Sequence, residues 1–251
     1  METHESFELD ALVSMGLTGL AAGASDMDHL DGRSAAFNYI RVANLVESYV
    51  KTGKVQLPLL DWGCGYGQVS WLLKRRGLAV TSCDVEERPA RRSIEILNQI
   101  EVRCLRDPVQ LPYERETFGG VLSVGVLEHV ADMKQSMLEV SRVLKPDGIF
   151  FVFMLPNRFS WAEFIADVRH RSAHPIKYTP RDIEKLFDES FVIEKLWRRN
   201  FLPRNLGGLS LGIKSAYGRY YREIESLDRV LANVPPTSIV SGVIELIARK
   251  I

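Results

Sequence analysis

Hydrophobic and polar positions along this chain form a series of short apolar runs separated by helical patterns. Phe37, Ile40, Ala43, Val46 and Val50 recur at three- and four-residue spacing, which predicts an amphipathic helix. Residues 1–30, before it, show no clear period and read as a mobile segment or a lid. A strand is expected from Leu57 to Asp61, then a helix from about Tyr66 that Gly77 stops. A second strand follows from Leu78 to Asp84, a charged helix from about Glu87 to Asn98, and a third strand from Val102 to Arg106. Gly120 to Val126 is a nearly continuous apolar run, as a strand covered on both faces requires. Met133, Met137, Val140 and Leu144 mark a helix, Lys145 to Gly148 a turn, and Ile149 to Leu155 the fifth strand. Thr179-Pro180-Arg181-Asp182 combines an N-cap, a proline at the first helical position and an acidic first turn. Phe191 to Trp197 and Val243 to Ala248 are the last two strands, with a long insertion at about 200–236 between them.

Strands that alternate with helices imply an α/β fold with a doubly wound, mostly parallel sheet. In such sheets ligands bind beyond the carboxyl ends of the strands, where strand order reverses. Asp61, Asp84, Asp107 and the residues after Val126 are expected along that one edge. We divide the chain into an N-terminal helical or lid segment, 1–52, and a main domain, 53–251, that carries the insertion.

Bulk properties narrow the function without naming it. The chain has 251 residues, nearly half of them hydrophobic, enough for one large domain. Its 32 basic and 32 acidic residues cancel, so no general attraction to nucleic acid or anionic membrane follows. Cys64, Cys83 and Cys104 are an odd number with no C-x-x-C spacing, which fits a reducing, cytoplasmic setting and suggests neither disulfides nor zinc. The N-terminus is polar and acidic, unlike a signal peptide, and no apolar run reaches spanning length. Nothing in the pattern fixes an oligomeric state.

The segment Leu59-Leu60-Asp61-Trp62-Gly63-Cys64-Gly65-Tyr66-Gly67 is the most informative. A buried strand ends in a carboxylate, the backbone turns through three alternate glycines, and a helix begins. Glycine permits positive φ and close approach of a ligand to the main chain. The helix start offers free N–H groups to an anion. A tight turn without a ligand gives the same local pattern, and a dinucleotide site is the other rival, although its fingerprint is G-x-G-x-x-G. Asp84 closes the second strand 17 residues beyond Gly67, placed either to accept from a ribose diol or to cap the next segment.

The G-x-G-x-G turn with Asp61 two residues ahead resembles motif I of the class I S-adenosylmethionine-dependent methyltransferases. Further motifs follow in order. Asp107-Pro108-Val109-Gln110-Leu111-Pro112-Tyr113 is similar to the family's acidic-x-x-x-Leu-Pro-aromatic segment. Phe118 to Val130 resembles the strand-four motif of the small-molecule branch that includes ubiquinone-biosynthesis O-methyltransferases, with Gly119 where aspartate is usual. Arg142 to Gly148 and Met154 to Arg158 match the flanks of strand five. The resemblance covers about 55–160 and implies a Rossmann-like sheet of seven strands with an antiparallel last strand. It implies S-adenosyl-L-methionine as cofactor, bound by Asp61, Gly63, Gly65, Gly67, Asp84, Val85, Asp107 and Gly125. Asp84 would take the ribose, Asp107 the adenine amino group, and Val85 with Pro108 would sandwich the purine. Pro108 stands where relatives donate a backbone N–H to adenine, and it has none.

His129, just past strand four, is the candidate general base for a hydroxyl acceptor; helix capping or packing is its alternative. Glu128 either orients cofactor or substrate or caps the next helix, and His174 is a second base or a surface histidine. Gly125 breaks the Glu-x-x-Glu-His pattern by which some relatives hold a metal, so none is expected. Residues 26–50, with His29, Arg33 and Phe37, are placed to close the cofactor site. Leu206 to Ile213 and the basic aromatic stretch from Lys214 to Arg222 read as a helical cover, a lid, or a peripheral membrane contact through 206–222. The expected activity is methyl transfer to a small-molecule acceptor, foremost at a hydroxyl oxygen. N- or C-methylation is the nearest alternative. A nicotinamide-dependent oxidoreductase and a non-catalytic cofactor-binding protein are rivals of different class.

Overall fold

The computed structural model describes residues 4–169, 174–204 and 211–251. These form one seven-stranded sheet from β1 (Leu59–Trp62), β2 (Val80–Asp84), β3 (Val102–Cys104), β4 (Phe118–Val124), β5 (Leu144–Pro156), β6 (Phe191–Arg199) and β7 (Val243–Lys250), in the order β3-β2-β1-β4-β5-β7-β6. β1 to β5 run parallel, and β7 lies antiparallel to both β5 and β6. The order reverses between β1 and β4, which puts the switch-point crevice at their carboxyl ends.

Both faces of the sheet are covered, so its central strands are apolar throughout: all four residues of β1 and the first six of β4 are buried. Successive side chains of β5 point to opposite faces. Phe151 faces α1 (His4–Ala21), α2 (Arg33–Lys51) and α3 (Gln68–Arg75), in one cluster with Leu12, Ile40 and Leu72. Phe150 faces α4 (Met133–Val143) and α6 (Pro180–Phe187), with Val140, Ile183 and Phe187. The N-cap read at Thr179 forms, and Asp182 completes it as a capping box: Thr179 Oγ1 accepts from the Asp182 N–H, and Asp182 Oδ2 accepts from the Thr179 N–H at 2.8 Å.

Four elements differ from the sequence reading. Most of residues 4–30 is helix: α1, then a 3₁₀ stretch Ser25–Leu30. The inward face of α1 is Leu9, Leu12, Met15, Gly16 and Gly19, with Glu8 beside them. A Cβ at Gly16 would lie 2.6 Å from Leu30 Cβ, so glycine is there for close packing. Glu8 is fully buried because Arg76 pairs with it at 2.6 Å. Two glycines and a charge on the core side hide the period from a hydropathy pattern. The charged helix at 87–98 is instead two 3₁₀ turns, Pro89–Ser93 and Glu95–Gln99. Ile94, Leu97 and Ile100 are the buried positions, and a spacing of three suits the tighter helix. The turn Lys145–Gly148 interrupts β5 as a bulge, since Phe118 pairs with Leu144 and Gly120 with Ile149.

The insertion contains α7 (Leu211–Arg219) and α8 (Tyr221–Leu231). Tyr221 packs on Phe37 of α2 with ring centroids 5.0 Å apart. Glu225 and Asp228 of α8 bind Arg199 and Arg204 in a buried ionic cluster. Residues 206–210 of the apolar stretch lie outside the described residues. The remaining short helix, α5 (Trp161–Val168), follows β5.

Candidate active site

The glycine turn is bent by three positive φ angles: 67° at Gly63, 57° at Gly65 and 92° at Gly67. Gly67 caps α3 in the left-handed region. At Gly63 a Cβ would stand 2.6 Å from Val126 Cγ2, so β1 and β4 approach closely there. At Gly65 a Cβ would meet nothing within 4 Å, leaving the main chain bare toward the cleft. The turn is stapled from β2. Asp84 Oδ2 accepts the Gly65 N–H at 2.7 Å, and its Oδ1 accepts the Glu86 N–H at 2.9 Å. Asp84 therefore caps two backbone donors, and lone pairs on both oxygens remain.

Asp61 is 2% exposed, and Ser70 Oγ of α3 donates to it at 2.6 Å. Burial raises its pKa from 3.8 to about 6, with the Asp84 charge adding to the rise and Ser70 opposing it. Gly119, the departure noted in the strand-four motif, has a steric cause: a Cβ there would lie 2.1 Å from the Gln56 carbonyl oxygen.

Two adjoining cavities open along the switch-point edge. One of about 300 Å³ is lined by Trp62, Asp84, Val85, Pro108, Val130 and Ala131 among others. One of about 500 Å³ runs from Asp61, Gly65 and Gln68 past Glu128 to Met154, His174 and Asn200. Gly63, Arg88, Gly125 and His129 line both, so the two form one cleft. Gly67 and Asp107 line neither. Asp107 Oδ1 accepts from the Val109 and Gln110 N–H groups at 2.8 and 2.9 Å, and these bonds lower its pKa. With Pro108 lacking an N–H, the nearby backbone donors are thus already engaged.

His129 ends a 3₁₀ turn, Leu127–His129, that the Tyr178 hydroxyl holds by donating to the Leu127 carbonyl at 2.9 Å. Its ring stands 6.2 Å from that of His174. Partial burial and the His174 charge lower the His129 pKa. His174 is no plain surface histidine. Its Nδ1 lies 2.9 Å from Glu163 of α5, and that bond raises its pKa. Glu128 is 1% exposed, its Oε2 has no hydrogen-bond partner among the described residues, and burial raises its pKa to about 7.

Comparisons with known proteins agree with this fold. Residues 60–152 match a family model described as a methyltransferase domain. A ubiquinone biosynthesis O-methyltransferase of Pelagibacter ubique is 26% identical over 194 residues, 70% of this chain and 78% of that protein. One from Rickettsia typhi is 27% identical over 221 residues, 79% of this chain and 87% of that protein. The structure of a putative sarcosine dimethylglycine methyltransferase from Galdieria sulphuraria aligns over 86% of this chain and 87% of its own, with TM-score 0.57 and 18% identity.

Residues 60–152 are a methyltransferase domain, set in a sheet with the strand order of the class I S-adenosylmethionine-dependent methyltransferases.

The methyltransferase cleft contains groups that sequence reasoning missed. Asp26, in the 3₁₀ stretch after α1, accepts from Arg88 at 2.5 Å and from the Tyr66 hydroxyl at 2.8 Å, while the Arg88 guanidinium lies 5.1 Å from the Tyr66 ring centre. This bridge spans the glycine turn and joins the N-terminal segment to the loop after β2. Met154 and Asn200 line the larger cavity at φ of 64° and 61°. Non-glycine residues in that region are uncommon and concentrate at functional sites. The cleft fits the family's cofactor: bare main chain at Gly65, a carboxylate at the end of β1, and buried acceptor atoms without partners.

Proposed function

We propose that this methyltransferase methylates a hydroxyl oxygen of a small molecule, with His129 as the base that takes the proton. The observation that carries the reading is the His129–His174 pair. Glu163 keeps His174 protonated to higher pH, and the His174 charge with partial burial keeps His129 neutral. Two like groups with pKa values pushed apart suit an acid and a base assignment. A neutral His129 beside Gly125, common to both cavities, has a lone pair where cofactor and acceptor meet.

The cofactor's sulfonium supplies an electrophilic methyl group when bound. Asp84 is proposed to hold the ribose diol, Val85 and Pro108 to flank the purine, and Asp107 to stand at the adenine edge. Asp61, Gly63, Gly65 and Gly125 shape the remaining wall, and Gly67 bends the turn behind it. The chain's own residues then align the acceptor, exclude water and accept one proton. Residues 1–52 would act as the cover, fastened by the Asp26 bridge, over the domain 53–251. A cytoplasmic setting is proposed on the three cysteines, all free. Among the described residues no helix is long and apolar enough to cross a membrane.

The test is His129→Ala. Turnover on a hydroxyl acceptor found by screening with labelled cofactor should fall by roughly 10²–10⁴-fold. Affinity for S-adenosylhomocysteine should be kept. Undiminished turnover would remove His129 from the chemistry. Glu128 favours a second reading: a buried carboxyl with a free oxygen on the acceptor side suits an amine acceptor, and hence N-methylation. Amine acceptors belong in the same screen.

A further inference from the structure

Buried polar atoms without a partner are costly, and a native structure keeps few of them. Five residues lining the larger cavity carry such atoms: Arg88 Nε, a donor, and the four acceptors His29 Nε2, Gln68 Oε1, Glu128 Oε2 and Asn200 Oδ1. The acceptors fall into two groups. Glu128 and Asn200 stand on the side of Met154 and His174. His29 and Gln68 stand at the other end, where the Ser25–Leu30 stretch and α2 meet the start of α3 beside Asp61.

The ring of His29 has its proton placed by the backbone. Nδ1 lies 2.5 Å from the Asp26 carbonyl oxygen, which only accepts. Nδ1 therefore carries the hydrogen, and the neutral ring keeps a lone pair on Nε2. Burial holds the ring neutral by lowering its pKa below 6.5. Tyr39 fixes the ring plane, with centroids 5.6 Å apart and planes tilted by 54°. Gln68 is the first residue of α3, and its amide lies against the Tyr39 hydroxyl, whose pKa burial raises and Gln68 partly offsets. Gln68 Oε1 is left over. Two bare acceptors and the Asp61 carboxylate thus line one end of the cavity. The complementary ligand group is a small cation made of donors.

We propose that His29 Nε2 and Gln68 Oε1 bind the α-ammonium at the methionine end of the cofactor. The inference rests on the cofactor assignment and adds two residues that none of the glycine-turn or strand-end motifs contains. It makes the N-terminal segment part of the cofactor site rather than only its cover.

The test compares two ligands by calorimetry. S-adenosylhomocysteine carries the ammonium; 5′-methylthioadenosine keeps the adenosine and sulfur and lacks the amino-acid end. His29→Phe keeps a ring against Tyr39, and Gln68→Leu keeps the side-chain volume. Each should weaken S-adenosylhomocysteine on the order of tenfold or more, the scale of one lost hydrogen bond to a charged group. Affinity for methylthioadenosine should stay unchanged. The wild-type preference for S-adenosylhomocysteine should also shrink below pH 6.5, because a protonated His29 repels the ammonium. The groups facing this ring are Asp26 and Asp28 of its own segment, Tyr39 of α2, Gln68 of α3 and Arg88 after β2. Asp61 titrates nearby at about 6, so the readout is the difference between wild type and His29→Phe. Unchanged S-adenosylhomocysteine affinity in both variants would overturn the proposal. So would equal losses for both ligands, which would mark a structural role. A wild-type protein that binds neither ligand would instead sink the cofactor assignment itself.

Discussion

Replacing Glu128 by glutamine should stabilise the protein at alkaline pH and leave it unchanged at acid pH. Glu128 is 1% exposed and its pKa rises from 4.5 to about 7, burial being the main cause. A rise of that size corresponds to roughly 3 kcal/mol of preference for the neutral form in the folded state. The folded chain therefore binds more protons than the unfolded one between pH 4.5 and 7, so stability falls as pH rises through that window and then levels off. His174 contributes in the same direction, because its raised pKa stabilises the fold at low pH and is lost as pH climbs.

Glutamine resembles the protonated carboxyl in shape and in carrying a donor, so it should reproduce the acid-side stability without the alkaline loss. The assay is urea unfolding of both proteins at pH 4.5, 6 and 8, with the slope checked for constancy. The two should agree within error at pH 4.5 and separate by about 2–3 kcal/mol at pH 8. For a chain of this length that is on the order of 5–10 °C in Tm. Parallel curves across the range would show that Glu128 is not held neutral, and the reading of its free oxygen as a binding group would go with it.

Asp84→Asn should cost about 1–3 kcal/mol of stability, because both oxygens of the buried carboxylate accept part-buried backbone N–H bonds, and it should also weaken S-adenosylhomocysteine. An unmoved urea midpoint would leave Asp84 as a ligand group only. Gly63→Ala should destabilise by about 1–3 kcal/mol, since the new Cβ meets Val126 at 2.6 Å and φ is positive. Adding Val126→Ala should return the steric part, and strict additivity of the two changes would refute the contact as the cause. The wild-type rate should fall with acid through a pKa below 6.5, because His129 is depressed by burial and by His174. A profile centred at or above 6.5 would point to a different base.

The order of strands and most helices could be read from the chain because their residues obey simple periods. β1 and β4 are apolar runs, α2 carries its stripe at Ile40, Ala43 and Val46, and α6 announces itself by its capping box. α1 could not be read, because Gly16, Gly19 and an ion-paired Glu8 share its core side with Leu9, Leu12 and Met15. The 3₁₀ turns at 89–99 were hidden by charges that suggest an ordinary helix. In the cleft, the turn at Gly63 and Gly65 and the carboxylates Asp61 and Asp84 were legible through local spacing. The Asp26–Arg88 bridge was not, since its partners lie 62 residues apart, and His174 was named as a candidate base without its partner Glu163, 11 residues away. Tertiary packing makes those pairs, and no local pattern reports them.

Several departures from ordinary packing rules fall at one edge of the sheet. Two carboxyls there are buried enough to titrate near 6 and 7. Met154 and Asn200 take left-handed φ, and five polar atoms on residues of the larger cavity lack partners. Each feature opposes folding, and together they amount to several kcal/mol that the apolar cores on both faces must offset. Several such departures around one cavity at the switch-point edge mark that place as functional. The two ends of the larger cavity differ in the groups they leave unsatisfied: neutral acceptors with Asp61 at one, a titrating carboxyl with two histidines at the other. The first suits a ligand of fixed charge that is always present in the cycle. The second suits an acceptor whose proton must leave during it. Substitutions that relieve either end should therefore raise the stability of the ligand-free protein and lower affinity or turnover, each end affecting its own observable.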